Sequence, residues 1–347
     1  MNIKRYQRHF SILGLNGQKL LENSSILIIG CGGIGCPVSL YLAAAGVGKI
    51  GLIDDDYIDE SNLQRQILYT ETDIGKKKVH VAQERLNALN SDINITQYDF
   101  RLTFKDAVKI FKDYDLIIDG TDNFPTRYLV NDACCVLGKT FISASVLKNQ
   151  AQLALFNITN GCLRCVYPEA PPPLLVPNCA EAGVLGSAVG VIGSMAASMA
   201  INYIAHDHDY SGTLKLIDCL NISHKDIEYT KNHACHSCVN KKYTPINIEL
   251  YNNAVVKDIP LNKMPAQAIL LDVREEWERS LKKLDDHLHI PKSRILDNIM
   301  HIPKDKPIVC YCKSGIRSKN VALLLREYGY DVYSLEGGID QYQSSLE

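Results

Sequence analysis

The stretch Ser25–Gly35, SILIIGCGGIG, decides the fold class of this 347-residue chain. It starts with a mostly apolar run, its glycines follow at once, and apolar and small residues continue over 38–45. This order predicts a buried strand that turns into a helix. The spacing Gly30-x-Gly32-x-x-Gly35 leaves backbone amides uncovered at the helix N-terminus, where the helix dipole also favours an anion. The stretch therefore predicts a phosphate-binding loop.

The alternation of strands and helices continues beyond this loop. Lys49–Ile53 is a second apolar run that ends at Asp54, and 115–119 (DLIID) leads into Gly120-Thr121-Asp122-Asn123. The pattern predicts an α/β fold with a Rossmann-like, mostly parallel sheet and helices on both faces. After Thr140, strand-like runs predict an added antiparallel part: Phe141–Ser145, Gln152–Phe156, Leu214–Leu220 and Asp226–Thr230.

The polar stretch Asn240–Pro245 predicts a boundary between two domains, 1–243 and 244–347. Beyond it, strand-like runs at Ala268–Asp272 and Pro307–Tyr311 and a helical pattern over Ser318–Tyr328 predict a small α/β domain. Roughly 100 residues are enough for such a domain to have its own core.

The charge balance excludes a generally basic surface. The chain has 37 Lys and Arg residues against 39 Asp and Glu residues, a net charge of −2. We expect neither nucleic acid nor an anionic membrane as a partner, because both are attracted by positive fields. The 12 cysteines are spread too thinly over the chain for a small secreted disulfide scaffold.

Two features bear on the compartment. Met1–Leu15 lacks the apolar core of a signal peptide, so we expect a cytoplasmic protein. Ala182–Ala205 carries no charged residue and is long enough to cross a bilayer. Its Gly, Ala and Ser content favours a helix packed on all sides instead of a membrane span.

The residues around the glycine loop favour ATP over a dinucleotide. Asp54 follows the second strand, where a ribose hydroxyl is held in nucleotide-binding folds, and an NAD-dependent dehydrogenase satisfies the same pattern. Arg65, Lys78 and the carboxylate of Asp122 come later in the chain. A triphosphate attacked at its α-phosphorus needs such cations and a carboxylate for Mg²⁺.

Two CxxC pairs suggest a metal site. Cys162 and Cys165 form one pair, and Cys235 and Cys238 form the other. Two such pairs complete the closed tetrahedral thiolate set of structural Zn²⁺. A redox-active CxxC is the alternative for a single pair.

Two further cysteines are candidate nucleophiles. Cys312 begins the loop CKSGIR between a predicted strand and helix, where amides, helix dipole and Arg317 together stabilise a thiolate or persulfide. Cys179 follows a proline-rich loop and precedes the apolar helix. The remaining cysteines are expected to be small buried hydrophobes: Cys31, Cys36, Cys134, Cys135, Cys219 and Cys310.

In residues 1–240 the chain resembles the MoeB/ThiF family, which adenylates ubiquitin-like sulfur carriers. The motifs that carry the resemblance are Arg5-Tyr6-Gln7-Arg8, GCGGIG, Asp54-Asp55-Asp56, Asn62-Leu63-Gln64-Arg65-Gln66, Lys78 and Thr121-Asp122-Asn123. The resemblance implies ATP and Mg²⁺ as cofactors, a Zn²⁺ held by the four paired cysteines, and a homodimer.

The family resemblance also implies individual roles. Asp54 holds the ribose, Asn62, Arg65 and Lys78 contact the phosphates, Asp122 binds Mg²⁺, and Arg8 reaches the partner subunit's ATP. The remaining predicted nucleotide-binding residues are Gly30, Gly32, Gly33, Gly35 and Asn123. In related enzymes that transfer sulfur, a cysteine lies at the position of Cys179.

Residues 248–347 resemble a rhodanese sulfurtransferase. The resemblance rests on CKSGIR, Leu271–Glu275, His289–Pro291 and Leu335–Ile339. It implies a fused adenylyltransferase and sulfurtransferase that activates a carrier ending in Gly-Gly. Cys312, loaded by a persulfide donor such as a cysteine desulfurase, then gives a thiocarboxylate, with Cys179 resolving an acyl disulfide.

Such a thiocarboxylate serves molybdopterin, thiamine, tRNA thiolation or cysteine pathways. Two alternatives stay open: an adenylating enzyme with an inactive rhodanese scaffold, and an NAD-dependent oxidoreductase.

Overall fold

The computed structural model describes residues 2–171, 183–246, 256–281 and 287–344. They form two compact units, of which the first ends at Ile246 and the second consists mainly of the described residues from Val256 onwards. The predicted division after residue 243 lies three residues before the end of the first unit.

The first unit is built on one eight-stranded sheet in the order β3-β2-β1-β4-β5-β6-β7-β8. The pairings from β3 to β5 are parallel, and those from β5 to β8 are antiparallel. The predicted mostly parallel sheet with an antiparallel addition is therefore confirmed. The strands are β1 (Ser25–Ile29), β2 (Lys49–Ile53), β3 (Asn94–Tyr98), β4 (Leu116–Asp119), β5 (Thr140–Leu147), β6 (Gln150–Phe156), β7 (Thr213–Asp218) and β8 (Ser223–Glu228).

Apolar strands place the core on both faces of the parallel part. The side chains of β1 alternate between two clusters, with Ile26 and Ile28 in one and Leu27 and Ile29 in the other. The helices of this unit are α1 (Ile3–Tyr6), α2 (Phe10–Glu22), α3 (Gly35–Ala45), α4 (Lys78–Leu89), α5 (Phe104–Ile110), α6 (Phe124–Leu137), α7 (Leu163–Val166) and α8 (Gly186–His206).

Two strands of the first unit depart from the sequence prediction. β3 is not marked by an apolar run, because it is an edge strand in which two of the five residues are exposed. β8 covers Ser223–Glu228 instead of the predicted Asp226–Thr230. All its residues are exposed, so burial leaves no hydrophobic pattern to read.

Helix α8 is long and apolar enough to cross a membrane by length and composition, yet half of its apolar window is buried in the fold. It packs against α2, α3 and β5. The expectation of a helix packed on all sides is only partly met, because Val191 is 47% exposed.

The second unit is a five-stranded, wholly parallel sheet in the order β11-β10-β12-β13-β9. A buried ion pair lies at the end of β10, where Arg274 donates from Nε and a terminal nitrogen to Asp272. The elements are β9 (Asp258–Ile259), β10 (Ile269–Asp272), α9 (Glu276–Leu281), β11 (His287–His289), α10 (Ile295–Asn298), β12 (Ile308–Tyr311), α11 (Ile316–Glu327), β13 (Val332–Leu335) and α12 (Gly338–Ser344).

Candidate active sites and metal centre

The glycine loop lies at the carboxyl end of β1, between the ends of β2 and β4. The Gly30 amide donates to the Ile53 carbonyl at 2.8 Å, and the Gly120 amide donates to the Ile29 carbonyl at 3.0 Å. The residues that follow these three strands therefore share one edge of the sheet. We call this the glycine-loop edge: 30–35, 54–56 and 121–123.

Close backbone packing explains two of the glycines. Gly30 has φ +91°, in the left-handed region that glycine favours. A Cβ on Gly35 would lie 1.9 Å from the Gly30 carbonyl oxygen. At Gly32 and Gly33 a Cβ would meet side-chain atoms at 3.1 Å or more, so these two positions are sterically freer.

Asp54 fixes the loop through its carboxylate. One oxygen accepts from the Cys31 amide at 2.7 Å, and the other accepts from the Asp56 amide at 2.8 Å. Burial raises the pKa of Asp54, an effect that the nearby charge of Lys78 opposes. Lys78 is buried and its Nζ lies 2.8 Å from the exposed Asp56 carboxylate. The structure thus brings the predicted ribose ligand and a predicted phosphate-binding cation together.

Arg65 lies beside the loop, and Asn62 has a local role. A Cβ on Gly33 would be 3.5 Å from Cγ of Arg65, so the arginine stem borders the loop. The guanidinium donates to the Ser61 carbonyl at 3.0 Å. The Asn62 side chain accepts from the Asp59 amide at 3.3 Å, which caps a short helical turn.

Asp122 lies on an exposed turn whose position is fixed by hydrogen bonds to Asp119 and from Arg127. The buried Asp119 accepts from the Thr121 amide at 3.0 Å and from its hydroxyl at 2.6 Å. Arg127 donates to the Thr121 carbonyl at 2.9 Å, and its Nε lies 3.8 Å from Asp119. Asn123, another predicted nucleotide ligand, accepts from the Thr126 amide at 2.9 Å and caps α6.

Asp119 and Arg127 are residues that the sequence reasoning missed. Burial raises the pKa of Asp119, and Arg127 opposes that effect. A sequence signal for such a pair exists: a carboxylate ends an otherwise apolar strand, and an arginine follows in the first turns of the next helix. Arg8, on the other hand, is exposed between α1 and α2.

The four paired cysteines meet in one cluster. Their sulfur atoms all lie within 4.8 Å of one another. The measured separations are 3.9 Å for Cys162–Cys165, 3.7 Å for Cys162–Cys235 and 3.6 Å for Cys165–Cys238. A tetrahedron with Zn–S bonds of about 2.3 Å has sulfur–sulfur edges of about 3.8 Å. The donor set and its spacing therefore fit zinc.

Groups that follow Cys312 in the chain donate hydrogen bonds to the Cys312 sulfur. Cys312 is buried, and its Sγ accepts from the Gly315 amide at 3.2 Å and from the Ser318 hydroxyl at 3.6 Å. Gly315 has φ +92° and turns the chain into α11. The Ile339 amide donates to the Cys312 carbonyl at 2.8 Å, which fixes the loop against the start of α12.

Arg317 is oriented by an acidic partner. Both its terminal nitrogens donate to the Glu278 carboxylate, one of them at 2.6 Å. Burial acts to raise the pKa of Glu278, but the hydrogen bonds from Arg317 and from the Glu275 amide, together with the positive charges of Arg317 and Arg274, outweigh it, so this pKa lies below its usual range. Glu278 was also missed from the sequence, because it precedes the loop by more than 30 residues and belongs to a different helix.

The other cysteines divide by position. Cys179 lies outside the described residues. Cys31, Cys36, Cys134 and Cys310 are buried as expected, and burial raises the pKa of each thiol.

One of the six expected packing cysteines needs correction. Cys219 is only half-buried, because it follows the last residue of β7. Cys135 is buried as expected, and it packs against the four-cysteine cluster.

Two protein-family models match the chain. Residues 5–238 match the ThiF family, and residues 258–345 match the rhodanese-like domain. The first match covers the sheet with the glycine-loop edge and the cysteine cluster, and the second covers the Cys312 loop.

The most informative relatives align along nearly the whole chain. The probable adenylyltransferase/sulfurtransferase MoeZ of Mycobacterium tuberculosis is 37% identical over 376 aligned positions, covering 99% of this chain and 94% of the relative. The adenylyltransferase and sulfurtransferase MOCS3 of Drosophila persimilis is 36% identical, covering 100% and 84%.

Solved structures resemble the chain over about two thirds of its length. The E. coli MccB structure with ATP has a TM-score of 0.60 and 25% identity, covering 68% of this chain and 75% of that one. The microcin C7 biosynthetic enzyme MccB in complex with N-formylated MccA has a TM-score of 0.63 at 25% identity, with 68% and 75% covered.

The loop geometry, the two family matches and the full-length relatives agree. The chain belongs to the ThiF family and carries a C-terminal rhodanese-like domain, and its full-length relatives are named adenylyltransferase/sulfurtransferases.

Proposed function

We propose that this enzyme uses ATP and Mg²⁺ to adenylate the C-terminal glycine of a ubiquitin-like sulfur carrier and then converts the adenylate into a thiocarboxylate. One observation carries the proposal. The same chain contains two sites. One is the glycine-loop edge with Asp54, Lys78 and Asp122, and the other is the Cys312 loop, which donates hydrogen bonds to the Cys312 sulfur. Hydride transfer to NAD does not require a loop that stabilises a cysteine persulfide.

Adenylation requires charge neutralisation at the triphosphate. The carrier carboxylate attacks the α-phosphorus, and pyrophosphate leaves. Lys78, and Arg65 whose stem borders the glycine loop, supply positive charge where negative charge accumulates. Asp122 is exposed and offers the carboxylate oxygens that Mg²⁺ prefers, so the residue fits a metal ligand. Bound Mg²⁺ would neutralise the phosphate oxygens.

Sulfur transfer then uses the Cys312 loop. A donor persulfide, such as that of a cysteine desulfurase, passes its outer sulfur to the Cys312 thiolate and leaves as a thiolate. The terminal sulfur of the new persulfide attacks the acyl carbon, AMP departs, and an acyl disulfide forms. Attack by the Cys179 thiolate on Sγ of Cys312 releases the thiocarboxylate and leaves a Cys179–Cys312 disulfide, which an external thiol reduces.

Three further assignments belong to the same proposal. The four-cysteine cluster holds one structural Zn²⁺, supported by its sulfur spacing. The enzyme is a homodimer in which Arg8 completes the partner subunit's ATP site, supported by the exposure of Arg8. It works in the cytoplasm, supported by the free cysteines of the described residues. Light scattering and cell fractionation test the last two.

The decisive experiment separates the two modules. Arg65→Ala and Asp122→Ala are each expected to abolish carrier-dependent exchange of pyrophosphate into ATP. Cys312→Ala is expected to keep that exchange and to lose thiosulfate:cyanide activity and thiocarboxylate formation. Mass spectrometry of candidate Gly-Gly carriers scores adenylate and thiocarboxylate separately.

Three results contradict the proposal. Loss of adenylation in Cys312→Ala refutes the division into modules. Undiminished thiocarboxylate formation in Cys312→Ala identifies the second unit as an inactive scaffold. NADH binding without any carrier-dependent exchange identifies an oxidoreductase.

A further inference from the structure

A buried polar network surrounds one carboxylate in the first unit. Asp132, on α6, is fully buried. It accepts from Arg164 Nε at 2.8 Å, from a terminal nitrogen of Arg164 at 2.9 Å, from the Ser237 hydroxyl at 2.8 Å and from the Thr244 amide at 3.1 Å. Asn131 adds a further hydrogen bond at 2.9 Å. Neither the nucleotide chemistry nor the sulfur chemistry uses this group.

The network joins the two cysteine pairs. Arg164 lies inside the pair Cys162-Leu-Arg-Cys165, and Ser237 lies inside Cys235-His-Ser-Cys238. One carboxylate therefore contacts an inner residue of both pairs, although Cys162 and Cys235 are 73 residues apart in the chain.

Asn131 repeats the pattern. Its side-chain oxygen accepts from the Leu163 amide at 2.9 Å, and its side-chain nitrogen donates to the Ser237 hydroxyl at 3.0 Å. Both cysteine pairs are therefore tied to α6 twice.

Such a connection lowers the free energy that metal binding must supply to bring the four ligands together. Bringing distant segments together costs loop-closure entropy, and four neighbouring thiolates repel one another. Where polar contacts already hold the segments, the metal does not have to supply that free energy. Residues outside the ligand set typically change metal affinity by about 10 to 100-fold when they are replaced.

We propose that Asp132 is a positioning residue of the metal centre, which holds the two cysteine pairs at ligand spacing before zinc arrives. The inference rests on the proposed zinc site. It goes beyond that site because it assigns the assembly of the ligands to a carboxylate that does not touch the metal.

The test measures zinc affinity of the full-length protein, not its catalytic activity. Zinc content is determined on the purified protein, and Zn²⁺ is then titrated against a chromogenic chelator. Asp132→Asn and Ser237→Ala are expected to bind zinc about 10 to 100-fold more weakly than the wild type. Melting temperatures are recorded with and without zinc.

Asp272→Asn is the matched control. Asp272 is a fully buried carboxylate that also receives two guanidinium hydrogen bonds, but it lies in the second unit and contacts no cysteine pair. This variant is expected to lose stability and to keep wild-type zinc affinity.

Each outcome has a distinct meaning. A wild-type protein that holds no zinc refutes the zinc site itself. Tight wild-type binding with unchanged affinity in both variants, and equal loss of melting temperature with and without zinc, overturns the role of Asp132. If Asp132→Asn does not fold, Ser237→Ala decides, because it removes only the two hydrogen bonds of the Ser237 hydroxyl, to Asp132 and from Asn131, and keeps the ion pair of Asp132 with Arg164.

Discussion

Replacement of Gly35 by alanine tests the close packing that forms the glycine loop. The added Cβ would lie 1.9 Å from the Gly30 carbonyl oxygen and 2.9 Å from its carbon, so backbone must move. Overpacking of this kind costs about 3 kcal/mol, the upper part of the usual range. Alanine at this first helical position recovers about 1 kcal/mol of helix propensity. The net loss of unfolding free energy is about 2 kcal/mol.

Thermal melting of the full chain measures this effect. At about 2 to 4 °C per kcal/mol for a unit of this size, the first unit is expected to melt about 4 to 8 °C below the wild type. The second unit is unchanged and its transition serves as an internal reference. A Gly35→Ala protein that melts at or above the wild-type temperature refutes the reasoning, because helix propensity alone predicts a gain.

Gly32→Ala is the matched control within the same loop. Its Cβ would meet only Nε2 of Gln66, at an ordinary 3.7 Å. We expect a stability change within about 0.5 kcal/mol. We also expect a raised KM for ATP, because a methyl group hinders the approach of phosphates to the loop amides. Equal loss of stability in both variants contradicts the assignment of the close contact to Gly35.

Three further variants or conditions probe groups that the structure added. Glu278→Gln is expected to lower thiosulfate:cyanide turnover by about 10-fold or more and to keep pyrophosphate exchange, because the Arg317 guanidinium loses a charged partner; unchanged turnover contradicts this. Arg127→Gln is expected to reduce pyrophosphate exchange by about 10-fold, because the Thr121 carbonyl, just before Asp122, loses the hydrogen bond from the Arg127 guanidinium. The thiosulfate:cyanide activity of the second unit is expected to stay constant in this variant. Burial acts to raise the pKa of Asp272 and of Glu278, but hydrogen bonds and the nearby arginine charges together outweigh it, so both pKa values lie below the usual range. The stabilisation from these carboxylates is therefore complete above the usual carboxyl pKa of about 4 and is lost as the pH falls through the lowered values. Melting curves at decreasing pH are expected to show the second unit losing stability over that range, and Asp272→Asn is expected to weaken the dependence.

The sequence predicted most of the architecture because its signals are local. Apolar runs at Ser25–Ile29 and Lys49–Ile53 match the observed strands residue for residue. The carboxyl ends of adjacent parallel strands meet at one edge, so the predicted proximity of Asp54 and the glycine loop followed from topology. The predicted range of the exposed edge strand β8 differs from the observed one by a few residues, since burial does not constrain its hydrophobic pattern.

Site residues separated by long stretches of chain needed the tertiary structure. The CxxC motifs identified the four sulfurs, but only folding showed that they meet at tetrahedral spacing. No local pattern indicated that Asp132 would contact both pairs, or that Glu278 would hold Arg317. Such pairings depend on how whole elements pack.

The sequence by itself thus determined most of the strand and helix order, the glycine loop, and which thiols are candidates for sulfur chemistry and for metal binding. These properties depend on neighbours within a few residues of one another, whose spacing and backbone freedom are written into the chain. The tertiary structure alone decided which buried charges pair, as Asp132 does with Arg164 and Glu278 with Arg317. A buried charge is stable only beside a partner, and that partner is supplied by a distant segment of the fold.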